Sequence, residues 1–421
     1  MLETIREYGL MKMEACGEQA PTRRAHAAYC LVLAEEGAGQ DSSANQTDWL
    51  DRFEMENDNF RTALSWLEET GNVEWGLRMG IALFRFWEMR ERLNEGRERL
   101  GRLLRLEARG GQNHAADNNM RIRALFAAGV LAGAQGDYGG AKTLIQESLD
   151  IARRVGDKQS MAVALNAHGV NFRDTGDLQS ARALLEESVV LWRELGDRAA
   201  VARGLSNLAN VVKLQRDFAR ANVLYQECLG LFREIGDKAG YAWALNHQGD
   251  VAREQDDAVE ARALYEQSLT AFRQIPDSWG IAGCLGDLGN LAREQRDYAG
   301  AAALYRESLG MFKKLEHKRG IARLLEAFAC AAAEQHEAER ALRLAGAAEA
   351  LRQSIGTPLA PAEQAKLERG LEPARQALAT AASRTAWLEG WVMPVEMAID
   401  EVLRTRGTAR DGSDAAGWAE F

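Results

Sequence analysis

Apolar and small residues recur along most of this chain at helical spacing, and their pattern returns every 40 residues. Ala242, Leu245, Gly249 and Ala252 follow one another at intervals of three and four, which places them on one face of a helix. A second run in each unit carries bulkier side chains; in one unit these are Leu224, Tyr225, Leu229 and Phe232. The pattern predicts two helices per unit, with small residues of one facing large residues of the other.

Aspartates mark the predicted helix starts. One series is Asp137, Asp177, Asp217, Asp257 and Asp297, and a second, offset by 20 residues, is Asp157, Asp197, Asp237 and Asp277. Each can accept a hydrogen bond from a free N–H group in the first helical turn. A glycine suited to a left-handed helix end comes before Asp137, Asp157, Asp177, Asp197 and Asp237. Arg216, Asp256, Arg296, Pro276 and Glu316 replace it elsewhere, and the turn at Pro276 is expected to differ because proline cannot adopt a positive φ.

A fixed period of this length is typical of a solenoid, in which each hairpin is stabilised by its neighbours. Only 6 prolines occur in 421 residues, and helix-favouring residues dominate the composition. The predicted fold class is therefore all-α: a right-handed α-solenoid of stacked helix–turn–helix repeats.

Particular residues give this unit a family resemblance. Leu288-Gly289 precedes Ala301, Tyr305 and Ser308 at the relative positions of the tetratricopeptide repeat consensus. A further copy reads Leu208-Ala209, Ala221, Tyr225 and Cys228. The unit resembles that family but is longer than its usual repeat, by about a turn and a half of helix.

The flanks suggest a second resemblance and a division of the chain. Residues 1–113 are predicted to form degenerate helical hairpins, 114–356 the array, 357–405 capping helices and 406–421 a disordered tail. The blocks MLETIREYGL, WLDRFEMENDNFRTALSWL and LAGAAEALRQSIGTPL resemble the C-terminal arm of bacterial STAND ATPases and related LuxR-type or winged-helix transcriptional regulators. The sequence has no GxxxxGK[ST] phosphate loop and no effector domain, so neither ATP switching nor DNA binding is inferred from this resemblance.

Charge and composition exclude several functions. A formal net charge of -10 disfavours a nucleic-acid or anionic-membrane surface, and no apolar stretch is long enough to span a bilayer. A cytoplasmic location is the default expectation. Five cysteines and six histidines are scattered without metal-ligand spacing, so neither a metal nor a cofactor is predicted. No catalytic constellation stands out, and the protein is not expected to be an enzyme.

The tetratricopeptide resemblance implies that the first helices line a concave groove. Its predicted contact residues, from three successive units, are Arg203, Ser206, Asn210, Lys213, Trp243, Asn246, Asp250, Arg253, Asn290 and Arg293. Trp243 and Asn246 have no evident role in the core, which favours ligand contact. For the basic series Arg173, Lys213, Arg253 and Arg293 there is an alternative, since each lies four residues before an aspartate and could simply pair with it.

These features favour a non-catalytic binding module. It would recognise a protein or peptide segment, or a small-molecule inducer, in the groove, as the sensor arm of a regulator. The alternatives are a scaffold that self-associates through its end faces and a truncated remnant of a STAND-type regulator.

Overall fold

The computed structural model describes residues 3–38, 46–109, 117–275 and 277–404, and within them it contains helices and no strand. The helices are α1 Glu3–Ala15, α2 Gln19–Ala38, α3 Gln46–Glu69, α4 Val73–Met89, α5 Leu93–Arg109, α6 Asp117–Ala134, α7 Tyr138–Val155, α8 Lys158–Thr175, α9 Leu178–Leu195, α10 Arg198–Leu214, α11 Phe218–Ile235, α12 Lys238–Glu254, α13 Ala258–Arg273, α14 Ser278–Glu294, α15 Tyr298–Lys314, α16 Lys318–Glu334, α17 Ala338–Ile355, α18 Pro361–Ala377, α19 Thr380–Val392 and α20 Val395–Leu403.

The array runs from α6 to α17 as successive antiparallel hairpins. Each even-numbered helix from α6 to α16 packs against the helix that follows it, and each hairpin packs against the next. Successive even-numbered helices also contact one another, whereas successive odd-numbered helices do so less. The even-numbered helices therefore form the inner, concave wall and the odd-numbered helices the outer wall. The all-α solenoid predicted from the period is confirmed.

The aspartates begin the helices as predicted. In all nine, the side chain accepts from the backbone N–H three residues later, at 2.8–3.1 Å. At α16 the sequence signal was missed, because His317 stands in that place. Its Nδ1 accepts from the Gly320 N–H at 2.9 Å.

Left-handed turns end the helices even where glycine is missing. Gly136, Gly156, Gly176, Gly196 and Gly236 have φ between 73° and 88°. Arg216, Asp256, Arg296 and Glu316 adopt the same region, at φ of 52–64°. The loss of glycine therefore leaves the turn unchanged at these four positions, although a side chain is disfavoured there. Pro276 lies outside the described residues.

Small residues of the inner helices face large residues of the outer helices. A Cβ built on Gly249 would lie 2.8 Å from the ring of Tyr265, and one on Gly289 would lie 2.5 Å from the ring of Tyr305. Both rings are completely buried. These contacts confirm the predicted small-against-large packing, and they explain why the inner helices tolerate glycine in their interior.

The flanking helices extend the array in both directions. An apolar cluster containing Phe53, Phe60 and Phe86 joins α2–α5 to α6 and α7. At the other end, α19 packs closely on α17, where Gly346 and Gly390 allow the two backbones to approach. The proposed domain boundaries remain predictions, and the tail from 406 to 421 lies outside the described residues.

The α4–α5 turn contacts the start of α16 across the arc. Glu91, in the α4–α5 turn, accepts a 2.9 Å hydrogen bond from the backbone N–H of Arg319 at the start of α16. Nearby, Pro358 packs on Gly136, in the α6–α7 turn. The hairpins therefore enclose a central space.

Candidate binding surface

Polar side chains of the inner wall form two rows that run from helix to helix. The amide row consists of Asn166, Asn207, Asn246, Asp287 and Arg323. The charged row consists of Arg173, Asp174, Lys213, Asp250, Arg253, Arg293, Glu294 and Glu334. Most of these residues recur at nearly the same position of successive units, so the 40-residue register places them side by side.

The amide row is linked by hydrogen bonds between neighbouring helices. Asn207 Nδ2 donates to Asn166 Oδ1 at 3.0 Å. Farther along, Asp287 accepts from Asn246 Nδ2 at 3.2 Å and from Arg323 Nη2 at 2.5 Å. This carboxylate raises the pKa of Arg323 and keeps the guanidinium charged. The row therefore connects α8 to α10, and α12 through α14 to α16.

The charged row has its centre at Asp250. Lys213 Nζ lies 3.1 Å from Asp250 Oδ2, and Arg253 Nη2 lies 3.6 Å from Oδ1. Burial opposes ionisation of Asp250, but Lys213 and Arg253 outweigh it and lower the pKa of the carboxyl. The row continues from Arg253 to Glu294 at 3.8 Å, and Arg293 pairs with both Glu294 and Glu334.

Tyrosines of the outer helices reach through to this wall. The hydroxyls of Tyr225 and Tyr305 donate to Asn210 Oδ1 and Asn290 Oδ1, at 2.9 and 2.8 Å. Tyr265 makes the equivalent bond to Asp250. Each bond uses one oxygen of the inner-wall residue and holds its side chain in place, so the wall presents polar groups in fixed positions.

Aromatic rings lie at one edge of the inner wall. The Trp243 ring packs on Phe272 and on Trp279, with centroids 5.0 and 4.8 Å apart. Trp279 is 46% exposed. Next to them, the His247 ring lies 6.0 Å from Trp243, and burial lowers the pKa of His247 to about 4, so the imidazole is neutral at pH 7.

The structure brings most of the predicted groove residues onto this wall, with differing accessibility. Arg203 is exposed, and Ser206, Asn210, Trp243, Asp250, Arg253, Asn290 and Arg293 are half-buried. Lys213 is nearly buried. Asn246 is only 2% exposed and also contacts Cys284 Sγ at 3.5 Å. The expectation that Trp243 and Asn246 have no packing role is wrong, because both pack between neighbouring inner helices.

The predicted partners of the basic series are also wrong. Arg173 pairs with Asp174 at 2.7 Å, and Lys213, Arg253 and Arg293 pair with the carboxylates already described. The aspartates four residues later are engaged as helix caps. The series is structurally paired, but not with the aspartates four residues later. Arg173 pairs within its own helix, whereas Lys213, Arg253 and Arg293 each also reach a carboxylate on the next inner helix.

Several residues of the inner wall were not predicted from the sequence. Asn207, His247, Asp287, Glu294, Arg323 and Glu334 were not among the predicted contacts. The sequence does indicate three of them, because Asn207, His247 and Asp287 occupy the same position of three successive 40-residue units and all carry polar side chains. The predicted contacts lie on a single helical stripe, whereas the concave wall exposes the adjacent stripe as well.

A separate cavity of about 1110 Å³ lies at the C-terminal end, among α15, α16, α17, the end of α18 and α20. Its arginines Arg340 and Arg343 pair with Glu401 at 3.4 and 3.3 Å. These ion pairs hold α20 against α17, so we interpret the cavity as part of the packing interface between the C-terminal helices and the array. Among the described residues, no His, Cys, Asp or Glu cluster could hold a metal, and no helix is long and apolar enough to cross a membrane.

Comparison with known proteins identifies the repeats. The family model for the tetratricopeptide repeat matches four overlapping segments, 121–194, 160–234, 200–274 and 240–314. Residues 121–314 of the array are built from tetratricopeptide repeats. The matched segments contain both polar rows up to α14, so the candidate surface belongs to the tetratricopeptide array.

Curated relatives resemble part of the chain. Proteins named as HTH-type transcriptional regulators, from Mycobacterium bovis and from Mycobacterium tuberculosis, are 29% identical over 169 residues. The match covers 39% of this chain and 19% of each relative. The chain thus spans about a fifth of the length of the relatives that it matches.

Solved structures share the fold of the tetratricopeptide array and its flanks. A Rap protein complexed with competence and sporulation factor has a TM-score of 0.56 at 12% identity, and the likeness covers 89% of this chain and 99% of that one. The apo form of RapI has a TM-score of 0.51 at 14% identity, with 62% and 91% covered. At these identities the likeness shows the fold.

Proposed function

We propose that this protein is a non-catalytic binding module whose inner wall recognises a short segment of another protein. The observation that carries the proposal is the pair of polar rows, whose side chains are held in fixed positions on a concave surface. A peptide backbone offers donors and acceptors at regular intervals, and rows of amide, carboxylate and guanidinium groups can pair with them. The Trp243 and Trp279 rings add a surface on which an apolar side chain can pack.

The comparisons support a regulatory setting for this module. Its relatives carry the name of transcriptional regulators, and the Rap protein with the same fold was solved with competence and sporulation factor. We infer that the chain is the sensor or interaction arm of a regulator that acts in the cytoplasm. The ligand is a peptide segment or a small inducer, and the acidic chain itself makes no direct contact with nucleic acid.

Selection from a random peptide library tests the proposal. The full chain is immobilised and panned against displayed peptides, and selected peptides are measured by titration calorimetry. We expect Arg203→Ala and Trp279→Ala, which truncate exposed side chains, to weaken binding at least tenfold without changing the circular dichroism spectrum. Arg220→Ala, an exposed arginine on the outer helix α11, is the matched control and leaves affinity unchanged.

Failure of the library to yield any peptide sensitive to the inner-wall variants would overturn this function. If the molecular mass in solution rises with protein concentration, and the inner-wall variants do not change this rise, the self-associating scaffold is favoured instead.

A further inference from the structure

The helix α18 lies across the central space enclosed by the array. It contacts α16 and α17 on one side and α8 on the other. Because α8 and α16 are inner helices separated by α10, α12 and α14, they stand on different parts of the arc. A helix that reaches both must cross in front of the inner wall between them.

Weak packing holds α18 in this position. Only Leu371 and Ala374 are buried on it, whereas eleven residues of the neighbouring helix α17, which is one residue longer, are buried. Burial of apolar surface is the main source of free energy that holds a helix against its neighbours. The packing of α18 on the array is therefore weak. Pro373 inside the helix further removes one backbone N–H, and no side chain caps the N-terminus.

The helix faces the charged row. Desolvation beside the wall lowers the pKa of Lys366, although its side chain stays exposed at the surface; the charges of Arg253 and Arg293 lower it further while Glu294 and Asp250 oppose them. The docked helix therefore brings a cation close to two arginines of the row. A ligand segment without a basic side chain at this place would avoid that repulsion.

We propose that α18 is a displaceable, intramolecular occupant of the inner wall, and that a helical protein segment binds by taking its place. This inference rests on the proposed function and adds its regulation. The bound segment is helical because the wall already accommodates a helix there. The chain is closed while α18 is docked and competent to bind when α18 has left.

A disulfide can lock α18 onto the wall. A Cβ built on Gly370 lies 3.7 Å from Cys330 Cβ on α16, within the usual range of 3.5–4.5 Å for a disulfide. The variant Gly370→Cys can therefore be oxidised to fix α18 and reduced to release it. The double variant Gly370→Cys with Cys330→Ser cannot form this bond and is the matched control.

Two measurements on the full chain test the proposal. We expect a library-selected peptide to bind oxidised Gly370→Cys at least tenfold more weakly than the reduced form, while the control is indifferent to oxidation. We also expect the amides of α18 in the wild-type protein to exchange with deuterium at least tenfold faster than those of α17, and oxidation of Gly370→Cys to slow them.

The outcomes separate this inference from the proposed function. Equal peptide affinity in the oxidised and reduced forms, or exchange in α18 as slow as in α17, would overturn the displaceable helix even if peptide binding is real. Fast α18 exchange that the disulfide suppresses, with no peptide bound in either form, would support the mobile helix and reject the proposed function.

Discussion

The hydroxyl of Tyr265 donates a 2.7 Å hydrogen bond to Asp250 Oδ1, fifteen residues earlier on the facing helix. Tyr225 and Tyr305 make the same bond at the same separation, but their acceptors are the neutral amides of Asn210 and Asn290. One geometry thus occurs with a charged and with uncharged acceptors. This difference allows the contribution of the charge to be measured inside one protein.

We expect Tyr265→Phe to lower the free energy of unfolding by about 1.5–3 kcal/mol, because its acceptor is ionised. Tyr225→Phe, the matched control, should cost about 0.5–1.5 kcal/mol, since a neutral amide is the acceptor. Urea unfolding followed by circular dichroism provides both values. Equal losses in the two variants would show that the charge on Asp250 adds nothing to this bond.

A core position of the inner helix gives a second test. Leu245 is buried in the central apolar cluster, and Leu245→Ala should destabilise the array by about 2–5 kcal/mol. Val259, on the next helix, is 82% exposed, so Val259→Ala should change stability by less than about 0.5 kcal/mol. Thermal denaturation compares the two variants. An unchanged melting temperature for Leu245→Ala would show that this side chain does not contribute to the core.

Left-handed turns give a reciprocal pair of substitutions. Gly236 has φ of 75° with no atom within 4 Å of an added Cβ, so Gly236→Ala tests backbone strain without a clash. We expect a loss of about 1–2 kcal/mol. Asp256 has φ of 60°, and Asp256→Gly should give a smaller gain, because aspartate tolerates this region better than alanine and glycine loses more entropy on folding. Chemical denaturation measures both changes; two changes of the same sign would contradict the argument.

His168 links stability to pH. It is 3% exposed and neither ring nitrogen has a hydrogen-bond partner within the described structure, while Leu208 and Leu288 occupy the same position in other units. Burial, with the charges of Lys142 and Arg153, lowers the pKa of His168 below its ordinary 6.5. The neutral form is therefore favoured by folding, and its stabilisation is present above pH 6.5 and is lost as the pH falls from there towards the folded pKa.

We expect His168→Leu to raise the free energy of unfolding by about 1–3 kcal/mol, because a buried polar ring without partners is removed. The melting temperature of the variant should also fall less between pH 7.5 and pH 5 than that of the wild type. His247 remains and retains part of the acid sensitivity. An identical decline in both proteins would show that His168 does not carry the pH dependence.

Features governed by local geometry could be predicted from the sequence. The spacing of Ala242 and Gly249 identifies a helix face, and an aspartate such as Asp237 caps the helix that it precedes. The period then implies that neighbouring units stack alike. Each of these inferences uses only residues close together in the chain, or exact repetition of such a group.

Contacts that depend on the curvature of the array could not be predicted in this way. Whether Lys213 meets Asp217 or Asp250 is decided by the distance between neighbouring inner helices, which no helical period specifies. The capping role of Asp217 also removes it as a partner. The position of α18 depends likewise on the whole arc, since its two contact regions are far apart in sequence.

The contact between Glu91 and Arg319 joins two turns that lie 228 residues apart in the sequence. A solenoid with free ends can gain or lose a unit and keep its remaining contacts, because each unit touches only its neighbours. Here an added hairpin would carry the start of α16 past the α4–α5 turn, and a deleted one would leave it short. The number of hairpins between the α4–α5 turn and α16 is therefore constrained by this long-range contact, and a change in length would be felt there first.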